Sequence, residues 1–195
     1  MKRILDVFIA LLVLFIFLPF GLIIAFFIVI ESKGGVFYVQ QRIGLFGKPF
    51  GLLKFRSMRP NSDQLGQLTV GVSDPRVTAM GFFVRKYKLD EFPQFINVLK
   101  GDMSIIGPRP EVKKYVDLYT IEQRKILNVK PGITDYASIE YFDESTLLGA
   151  SENPEQTYIQ EIMPKKLVLN QKYLANPTVF NDLKIMWLTF KKIIS

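Results

Sequence analysis

A long apolar segment opens the chain. Val7 to Ile30 reads VFIALLVLFIFLPFGLIIAFFIVI and contains no charged residue. As a straight helix this segment would extend roughly 36 Å, which is enough to cross the hydrocarbon core of a bilayer. The segment is too long for a signal peptide, and no small-residue cleavage site follows it. The pattern therefore predicts a membrane helix.

Pro19 lies near the centre of this segment, with Gly21 two residues later. A proline inside a helix removes one backbone donor and clashes with the preceding turn, so we expect a sharp bend or a break there. Basic residues flank both ends of the segment: Lys2 and Arg3 before it, and Lys33, Arg42, Lys48, Lys54, Arg56 and Arg59 after it. Because both flanks prefer the cytoplasmic side, the pattern favours a re-entrant helix that enters and leaves by one face. A kinked helix that crosses the membrane once is the alternative, since membrane helices tolerate proline.

Aromatic and β-branched residues on both sides of the turn Gly44-Leu-Phe-Gly47 predict a short β-hairpin between Gly35 and Met58. Lys54 and Arg56 lie on the same side of its second strand, because strand side chains alternate. There are six basic residues and no acidic residue between Ser32 and Ser62. This basic stretch suits anionic lipid headgroups and also suits a diphosphate.

The polar stretch Asn61–Pro75 predicts a loop, and Pro75–Tyr87 predicts a helix. A second helix is expected to follow, with Asp90 as its N-cap, Pro93 in its first turn and Gly101 at its end. The apolar stripe expected on this helix comprises Phe95, Ile96 and Leu99.

The last part of the chain contains two contrasting segments, one acidic and one that mixes apolar and basic residues. Asp135–Ile162 holds seven acidic residues and no basic one, which is typical of a solvated surface loop. Val179–Ile194 mixes an apolar face with Trp187, Lys191 and Lys192. This last segment is expected either to pack on the domain or to lie in a membrane interface.

Composition excludes several chemistries. The chain has 195 residues, enough for one domain, and contains no His and no Cys. Thiol nucleophiles, imidazole bases and Cys/His zinc sites are therefore excluded, and a metal would need oxygen ligands, as Mg²⁺, Mn²⁺ and Ca²⁺ do. The net charge of +7 does not indicate a nucleic-acid partner, because the basic residues adjoin an apolar segment and no nucleic-acid motif is present.

Two adjacent carboxylates, Asp90 and Glu91, precede Pro93. Acidic residues in a first helical turn stabilise a helix by roughly 0.3–1 kcal/mol, so a structural role alone explains the pair. Cations also accompany the pair in the sequence: Arg85, Lys86 and Lys88 before it, and Arg109 within GPRP after it. Such a setting attracts phosphate, and an ionised carboxylate beside a divalent metal can attack phosphorus. Phosphoryl chemistry at a membrane surface is therefore the alternative to a simple helix cap.

The chain resembles the monotopic phosphoglycosyl transferases, a family of bacterial sugar transferases. The matching stretches are KRILD, the proline-broken apolar segment, FYVQQRIGLFGKPF, LLKFRSM, SDPRVTAMGFFVRKYKLDEFPQFINVLKGDMSIIGPRP and VKPGIT. They run in order from residue 2 to about residue 134 and are far more specific than one short motif. The resemblance implies the minimal form of the family, with no extra transmembrane bundle before the catalytic part.

The resemblance also implies a fold and a location. The expected fold is α+β and mainly helical, a monotopic membrane protein with a proline-broken re-entrant helix, a small β-hairpin and amphipathic interfacial helices. Residues 1–33 would form the membrane helix, and residues 34–195 would form a catalytic domain on the cytoplasmic face of the bacterial inner membrane.

The activity that the resemblance implies is Mg²⁺-dependent transfer of a sugar-1-phosphate from a UDP-sugar to polyprenyl phosphate, such as undecaprenyl phosphate, with release of UMP. This reaction would start the synthesis of an exopolysaccharide, a lipopolysaccharide, a capsule or another glycoconjugate, with downstream glycosyltransferases as further partners. A noncatalytic membrane-associated scaffold for glycan assembly is the alternative, and the intact Asp90, Glu91 and Arg109 count against it.

The resemblance assigns roles to single residues. Asp90 matches the nucleophile that carries a covalent phosphosugar and lies at the metal, and Glu91 matches a catalytic partner placed beside the metal and the phosphate. Four residues match the basic positions near the phosphates: Lys54, Arg56, Arg85 and Arg109. The chain departs from the family pattern at Asp135-Tyr-Ala-Ser138, so the acidic segment that begins there is either a surface loop or a sugar-recognising lid.

Overall fold

The computed structural model describes residues 2–62 and 74–194, which form a mainly helical fold with two small pairs of strands. The helices are α1 (Lys2–Glu31), α2 (Ala79–Lys86), α3 (Gln94–Lys100), α4 (Lys113–Val116), α5 (Tyr136–Glu140), α6 (Glu144–Gly149), α7 (Pro154–Thr157), α8 (Met163–Ala175) and α9 (Val179–Ile194). The strands are β1 (Phe37–Ile43), β2 (Pro49–Phe55), β3 (Ser104–Ile106) and β4 (Gly132–Thr134). The mainly helical fold with a small hairpin is confirmed, whereas most of the predicted loop Asn61–Pro75 lies outside the described residues.

The first helix, α1, leaves most of its apolar residues exposed or half-buried. Its most apolar stretch has a mean hydropathy of 3.1, and only 11% of that stretch is buried. A core helix of a globular domain would be mostly covered. By length and composition, α1 is able to cross a membrane.

Pro19 lies inside α1, and the chain is helical on both sides of it. The expected interruption of the helix is therefore absent from its secondary structure, because losing one backbone donor leaves the neighbouring helical hydrogen bonds in place. A bend of the helix axis at Pro19 stays a prediction.

Both ends of α1 are held by the same globular part. Near the first end, the Asp6 carboxylate accepts hydrogen bonds from the Ser104 hydroxyl (2.9 Å) and the Ile105 N–H (3.1 Å). At the other end, the Glu31 carboxylate accepts hydrogen bonds from the first two N–H groups of α2 (2.6 and 2.8 Å). Thirty residues of helix thus begin and end on one body.

Buried apolar side chains form three clusters, two of which include α1. Ala10 packs with Val98 of α3 and Ile185 of α9. Further along α1, Ile28 packs with Phe55 at the end of β2 and with Val84 of α2. The third cluster lies between α4, α6 and α8, away from α1.

Strands β1 and β2 form the predicted antiparallel hairpin around a 3₁₀ turn at Leu45–Gly47. Asn97 of α3 fastens the second strand, because its side chain accepts a hydrogen bond from the Leu53 N–H (2.9 Å) and donates one to the Gly51 carbonyl (2.8 Å). These bonds fix the position of the next residue, Lys54, relative to α3.

The helix predicted over Pro75–Tyr87 begins later than expected, at Ala79. Thr78 is its N-cap, and the Thr78 hydroxyl accepts a hydrogen bond from the Gly81 N–H (2.9 Å). The capping threonine, which the prediction overlooked, sets the start of α2.

Asp90 is not the N-cap predicted for α3. Leu89–Glu91 forms a separate 3₁₀ turn, in which the Glu91 N–H bonds to the Lys88 carbonyl (3.3 Å), and Pro93 takes the position before α3. Lys88 enters this turn with a φ of 56°, a left-handed conformation that redirects the chain. The Asp90 side chain is therefore not used to cap α3.

Gly101 ends α3 as predicted, with a φ of 93° that other residues rarely adopt. The predicted apolar stripe is only partly correct. Phe95 and Leu99 pack at the edge of a core cluster, but the fully buried positions of α3 include Asn97 and Val98.

The acidic segment 135–162 is a series of short helices, α5 to α7, followed by a π-helical turn at Tyr158–Ile162, and not one extended loop. Helix α9 buries Asp182 and Ile185. Phe180, which follows Val179 at the start of α9, is 82% exposed, and Trp187 is 58% exposed. Helix α9 thus packs on the domain through one face and leaves an apolar face uncovered.

Candidate active site

A cavity of about 870 Å³ lies beside the hairpin. Its walls include all six polar residues that the sequence assigned to the site: Lys54, Arg56, Arg85, Asp90, Glu91 and Arg109. They come from the second hairpin strand and the residue directly after it, the end of α2, the 3₁₀ turn before α3 and the segment after β3. The structure therefore brings these residues together at one cavity, while their individual roles stay predictions.

Glu91 is clamped by Arg109. The guanidinium of Arg109 donates to both carboxylate oxygens of Glu91, and the bond from its Nη1 measures 3.0 Å. Lys54 Nζ lies 3.9 Å from Glu91 Oε1. Two parallel hydrogen bonds from a planar guanidinium fix the orientation of a carboxylate, so Glu91 has little freedom to rotate.

The Asp90 carboxylate, unlike that of Glu91, has no hydrogen-bonding partner among the described residues. The residue is only 7% exposed, yet its carboxylate accepts no hydrogen bond from any residue in 2–62 or 74–194. Its oxygen lone pairs are therefore not engaged by the described part of the protein.

The two carboxyl groups titrate in opposite directions. Burial raises the pKa of Asp90 above its usual value, against the opposing charge of Lys54. Burial alone would also raise the pKa of Glu91, but the charges of Arg109 and Lys54 outweigh it and lower that pKa to about 2. Glu91 is thus a permanent anion paired with arginine, whereas the charge of Asp90 is poorly stabilised and open to a reaction partner.

The basic residues differ in their contacts and in their electrostatic environment. Burial lowers the pKa of Lys54 to about 8, against the raising effect of Glu91. Arg56 donates to the carbonyls of Gly35 (2.9 Å) and Phe37 (3.1 Å), so part of its role is to close the hairpin. Arg85 donates to the Ser57 hydroxyl over a long 3.5 Å.

The sequence did not single out a second ion pair that lines the cavity. Arg42 donates to Glu111 Oε1 (3.0 Å), and the Tyr158 hydroxyl donates to the other carboxylate oxygen of Glu111. Burial would raise the pKa of Glu111, but the charges of Arg42 and Lys166 lower it. A sequence feature that could have indicated Glu111 as a site residue is its position directly after the GPRP motif.

Asp135, where the chain departs from the family pattern, is fully buried and also positions the site. Its carboxylate accepts hydrogen bonds from the Arg109 N–H (3.1 Å) and from the Ser138 N–H (2.6 Å) at the start of α5. Asp135 thus ties the backbone of the Glu91-binding arginine to the acidic segment.

The residues present suit a magnesium ion only together with a substrate. No group of three or more His, Cys, Asp or Glu within the described ranges could hold a metal ion. Mg²⁺ is commonly bound by one or two carboxylates, several waters and substrate phosphates. Because Arg109 occupies both oxygens of Glu91, Asp90 is the member of the pair whose oxygens a metal could use.

The exposed apolar helix α1 is held at both ends, and a cation-lined cavity with a buried carboxylate lies beside it. This arrangement is expected of a transferase that acts on phosphorylated substrates at an apolar surface. Comparison with known proteins identifies the family. The family model described as bacterial sugar transferase matches residues 1–195, and the chain belongs to that family. The family predicted from the sequence motifs is therefore confirmed.

Three relatives show how the chain compares with larger proteins. The UDP-glucose:undecaprenyl-phosphate glucose-1-phosphate transferase of Escherichia coli is 37% identical over 98% of this chain, which covers 40% of that protein. The UDP-N-acetylgalactosamine-undecaprenyl-phosphate N-acetylgalactosaminephosphotransferase of Aeromonas hydrophila is 36% identical over the whole chain, which covers 44% of that protein. The sugar transferase EpsL of Bacillus subtilis, named as uncharacterized, is 42% identical over 82% of this chain and 70% of its own length. The chain thus spans less than half the length of the first two relatives, whose names agree with the predicted enzyme class.

Proposed function

We propose that this protein transfers a sugar-1-phosphate from a UDP-sugar to polyprenyl phosphate, undecaprenyl phosphate being the bacterial form, and releases UMP. The observation that carries the proposal is the unlike pair of carboxylates in one cation-lined cavity. Asp90 is buried without a hydrogen-bond partner among the described residues, while Arg109 clamps Glu91. The reactions in the names of the Escherichia coli and Aeromonas hydrophila relatives support the same chemistry.

In the first half of the proposed reaction, a carboxylate oxygen of Asp90 attacks the phosphorus that bears the sugar. The bond from that phosphorus to the bridging oxygen of the diphosphate breaks, and UMP leaves with the oxygen. An aspartyl-phosphosugar remains on the protein. In the second half, a phosphate oxygen of the lipid attacks the same phosphorus and returns the Asp90 carboxylate.

The cations of the cavity stabilise the charges in both halves. Lys54 and Arg85 face the space that the phosphates would occupy, and Arg109 keeps Glu91 ionised and in place. A bound Mg²⁺ would neutralise the diphosphate, with Asp90 and the phosphate oxygens as its ligands. Arg56 contributes charge at the edge of the site while it holds the hairpin.

The proposal places α1 in the membrane as a re-entrant helix, with residues 34–195 on the cytoplasmic face of the bacterial inner membrane. Its support is that both ends of α1 dock on one body, which a helix ending on opposite sides of the membrane could not do. The apolar face of α9 would lie in the interface. Glycosyltransferases that extend a polyprenyl diphosphate sugar are the expected downstream partners.

The test incubates the purified full chain with UDP-sugars, Mg²⁺ and undecaprenyl phosphate and identifies the released nucleotide. Release of UMP supports transfer of a phosphosugar. Release of UDP would mean that only the sugar moves, which contradicts the proposal. Absence of product with every sugar would favour a noncatalytic scaffold.

A further inference from the structure

The cavity continues beyond the acid pair to a wall built from α5, α6 and α8. Ser138, Glu144 and Asn170 lie on this wall. Lys166 Nζ donates to Glu144 Oε2 (2.7 Å), and Asn170 follows Lys166 one helical turn later on the same face of α8. The acidic segment thus supplies part of the cavity, facing a polar stripe of α8.

Two contacts connect this wall to the acid pair. Lys88, two residues before Asp90, donates to the Phe142 carbonyl (3.2 Å), and its Nζ lies 4.8 Å from the centroid of the Phe142 ring. Asp135 joins the Arg109 backbone to the start of α5. The wall and the acid pair therefore line one cavity and are joined through Lys88 and Asp135, so a group bound at Asp90 shares the cavity with the wall.

The wall carries polar groups without partners. Asn170 is 4% exposed, its Oδ1 is buried, and its amide makes no hydrogen bond with any residue that the structure describes. The Ser138 Oγ is likewise buried without a partner there. Buried polar groups are nearly always hydrogen-bonded in folded proteins, so an unpaired amide beside a cavity indicates a partner that arrives with the ligand.

We propose that Asn170 and Ser138 form the sugar-recognition site, and that they bind the hydroxyl or acetamido groups of the transferred sugar. The Asn170 amide offers a donor and an acceptor on one rigid plane, which suits two neighbouring sugar substituents, and Ser138 adds a hydroxyl. The proposal rests on the proposed function, because it takes the sugar from the UDP-sugar bound at Asp90. It gives the acidic segment a role in choosing the substrate.

The test measures kcat/KM of the full chain for UDP-glucose, UDP-galactose and their two N-acetylated counterparts, before and after Asn170→Ala. We expect the variant to reduce discrimination between the preferred sugar and at least one other by about tenfold, the effect of losing one or two hydrogen bonds. Inhibition by UDP, which lacks the sugar, should change by less than about twofold, because the phosphate contacts stay intact.

Gln94→Ala is the matched control. Gln94 is also a buried amide without a partner for its Nε2 among the described residues, at 1% exposure, but it does not line the cavity. We expect Gln94→Ala to leave the ratios between the four sugars unchanged, even if it lowers stability as much. If Asn170→Ala does not fold, Ser138→Ala, which removes one hydroxyl, should shift the same ratios in the same direction by a smaller factor.

The outcomes distinguish failure of this inference from failure of the proposed function. An equal loss of kcat/KM for all four sugars, or a loss of UDP binding, would show that Asn170 only supports the structure and would overturn this inference, leaving the proposed function intact. A wild-type protein that releases UMP from no UDP-sugar of a wider panel, these four included, would overturn the proposed function and this inference with it.

Discussion

Arg109 holds Glu91 by two parallel hydrogen bonds, and this clamp separates two carboxylates that are neighbours in the chain. One is a paired anion with a pKa of about 2, and the other is buried with a raised pKa. Adjacent carboxylates in unlike environments can take unlike roles. The residue that supports this difference most directly is Arg109.

Arg109→Ala should leave Glu91 as a buried anion that interacts only with the more distant charges of Lys54 and Lys88 among the described residues. Removing one partner of a buried ion pair typically costs about 3–5 kcal/mol, and since 30% of the Arg109 side chain is exposed, we expect about 2–3 kcal/mol. The measurement is the free energy of unfolding in detergent, together with kcat/KM, which should fall by roughly a hundredfold or more.

The exposed pair Lys114–Glu155 provides the control for Arg109→Ala. Lys114→Ala should change stability by less than about 1 kcal/mol and leave turnover unchanged, because exposed ion pairs contribute little. An Arg109→Ala protein as stable and active as the control variant would contradict the role of the clamp.

Lys54 predicts a dependence of substrate binding on pH. Lysine is cationic below its pKa, and burial lowers that of Lys54 to about 8, so the side chain loses its charge as the pH rises through about 8. The KM for the UDP-sugar should therefore rise severalfold between about pH 7 and pH 9 as phosphate binding weakens. Lys54→Arg is the control, because arginine stays charged over this range. The same rise of KM in Lys54→Arg would assign the pH dependence to another group.

The sequence could predict the six cavity residues, because they lie within continuous motifs that a family resemblance identifies. It could not predict Asn97, Asp135 or Asn170 as site residues. Each is a single polar residue whose importance comes from what packs against it in three dimensions. Asn97 lies within one of the same motifs, but no pattern in the sequence marks it as the residue that positions the strand carrying Lys54.

At the scale of elements, local patterns predicted the hairpin well and the helix starts poorly. The glycine-bearing turn and alternating strands specify the hairpin without help from the rest of the chain. The start of α3 depends on the left-handed Lys88 and on a 3₁₀ turn, which propensity rules do not distinguish from a capped first turn. This error matters for function. If Asp90 capped α3, its carboxylate would accept a hydrogen bond from the helix backbone and would not be available for a reaction.

The path of α1 is the element-scale claim that labelling can test. The chain has no cysteine, so a cysteine inserted between Met1 and Lys2 and, in a second protein, Lys33→Cys each provide one label site. In sealed inverted membrane vesicles, a reagent that cannot cross the membrane should label both positions to the same extent. Labelling after detergent treatment gives the total for each position. Labelling of the two positions from opposite sides would contradict the re-entrant path and restore a helix that crosses once.

At the scale of the whole molecule, the two helices with uncovered apolar residues, α1 and α9, contact each other. Lys2 at the start of α1 pairs with Asp182 of α9 over 2.6 Å, and Ala10 of α1 and Ile185 of α9 belong to one buried cluster. The chain carries a net charge of +7, and its acidic segment 135–162 contains no basic residue. The positive charge therefore lies outside that segment, and the stretch between Ser32 and Ser62, which includes the hairpin, carries six basic residues and no acidic one, so it would favour an anionic membrane.

Trp187 and Phe190 on α9 test this membrane surface. Their exposed side chains, at 58% and 54%, add apolar area that would enter the interface. The double variant Trp187→Ser/Phe190→Ser should lower the partition coefficient of the protein into anionic vesicles by about tenfold while α1 still keeps it membrane-bound, with an unchanged unfolding midpoint. Ile121→Ser, at an 88% exposed apolar residue outside α1 and α9, is the control and should leave the partition coefficient unchanged. An equal fall for both variants would contradict a specific role for α9.

The covalent intermediate on Asp90 is the central claim, and mass spectrometry tests it most directly. The full chain is incubated with its UDP-sugar without lipid acceptor, digested and searched for a phosphosugar adduct. We expect one adduct on the peptide that contains Asp90 and its removal on addition of undecaprenyl phosphate. Asp90→Asn should show no adduct and should lose turnover by roughly a thousandfold or more. An adduct on another residue, or an Asp90→Asn protein that retains substantial turnover, would contradict this claim.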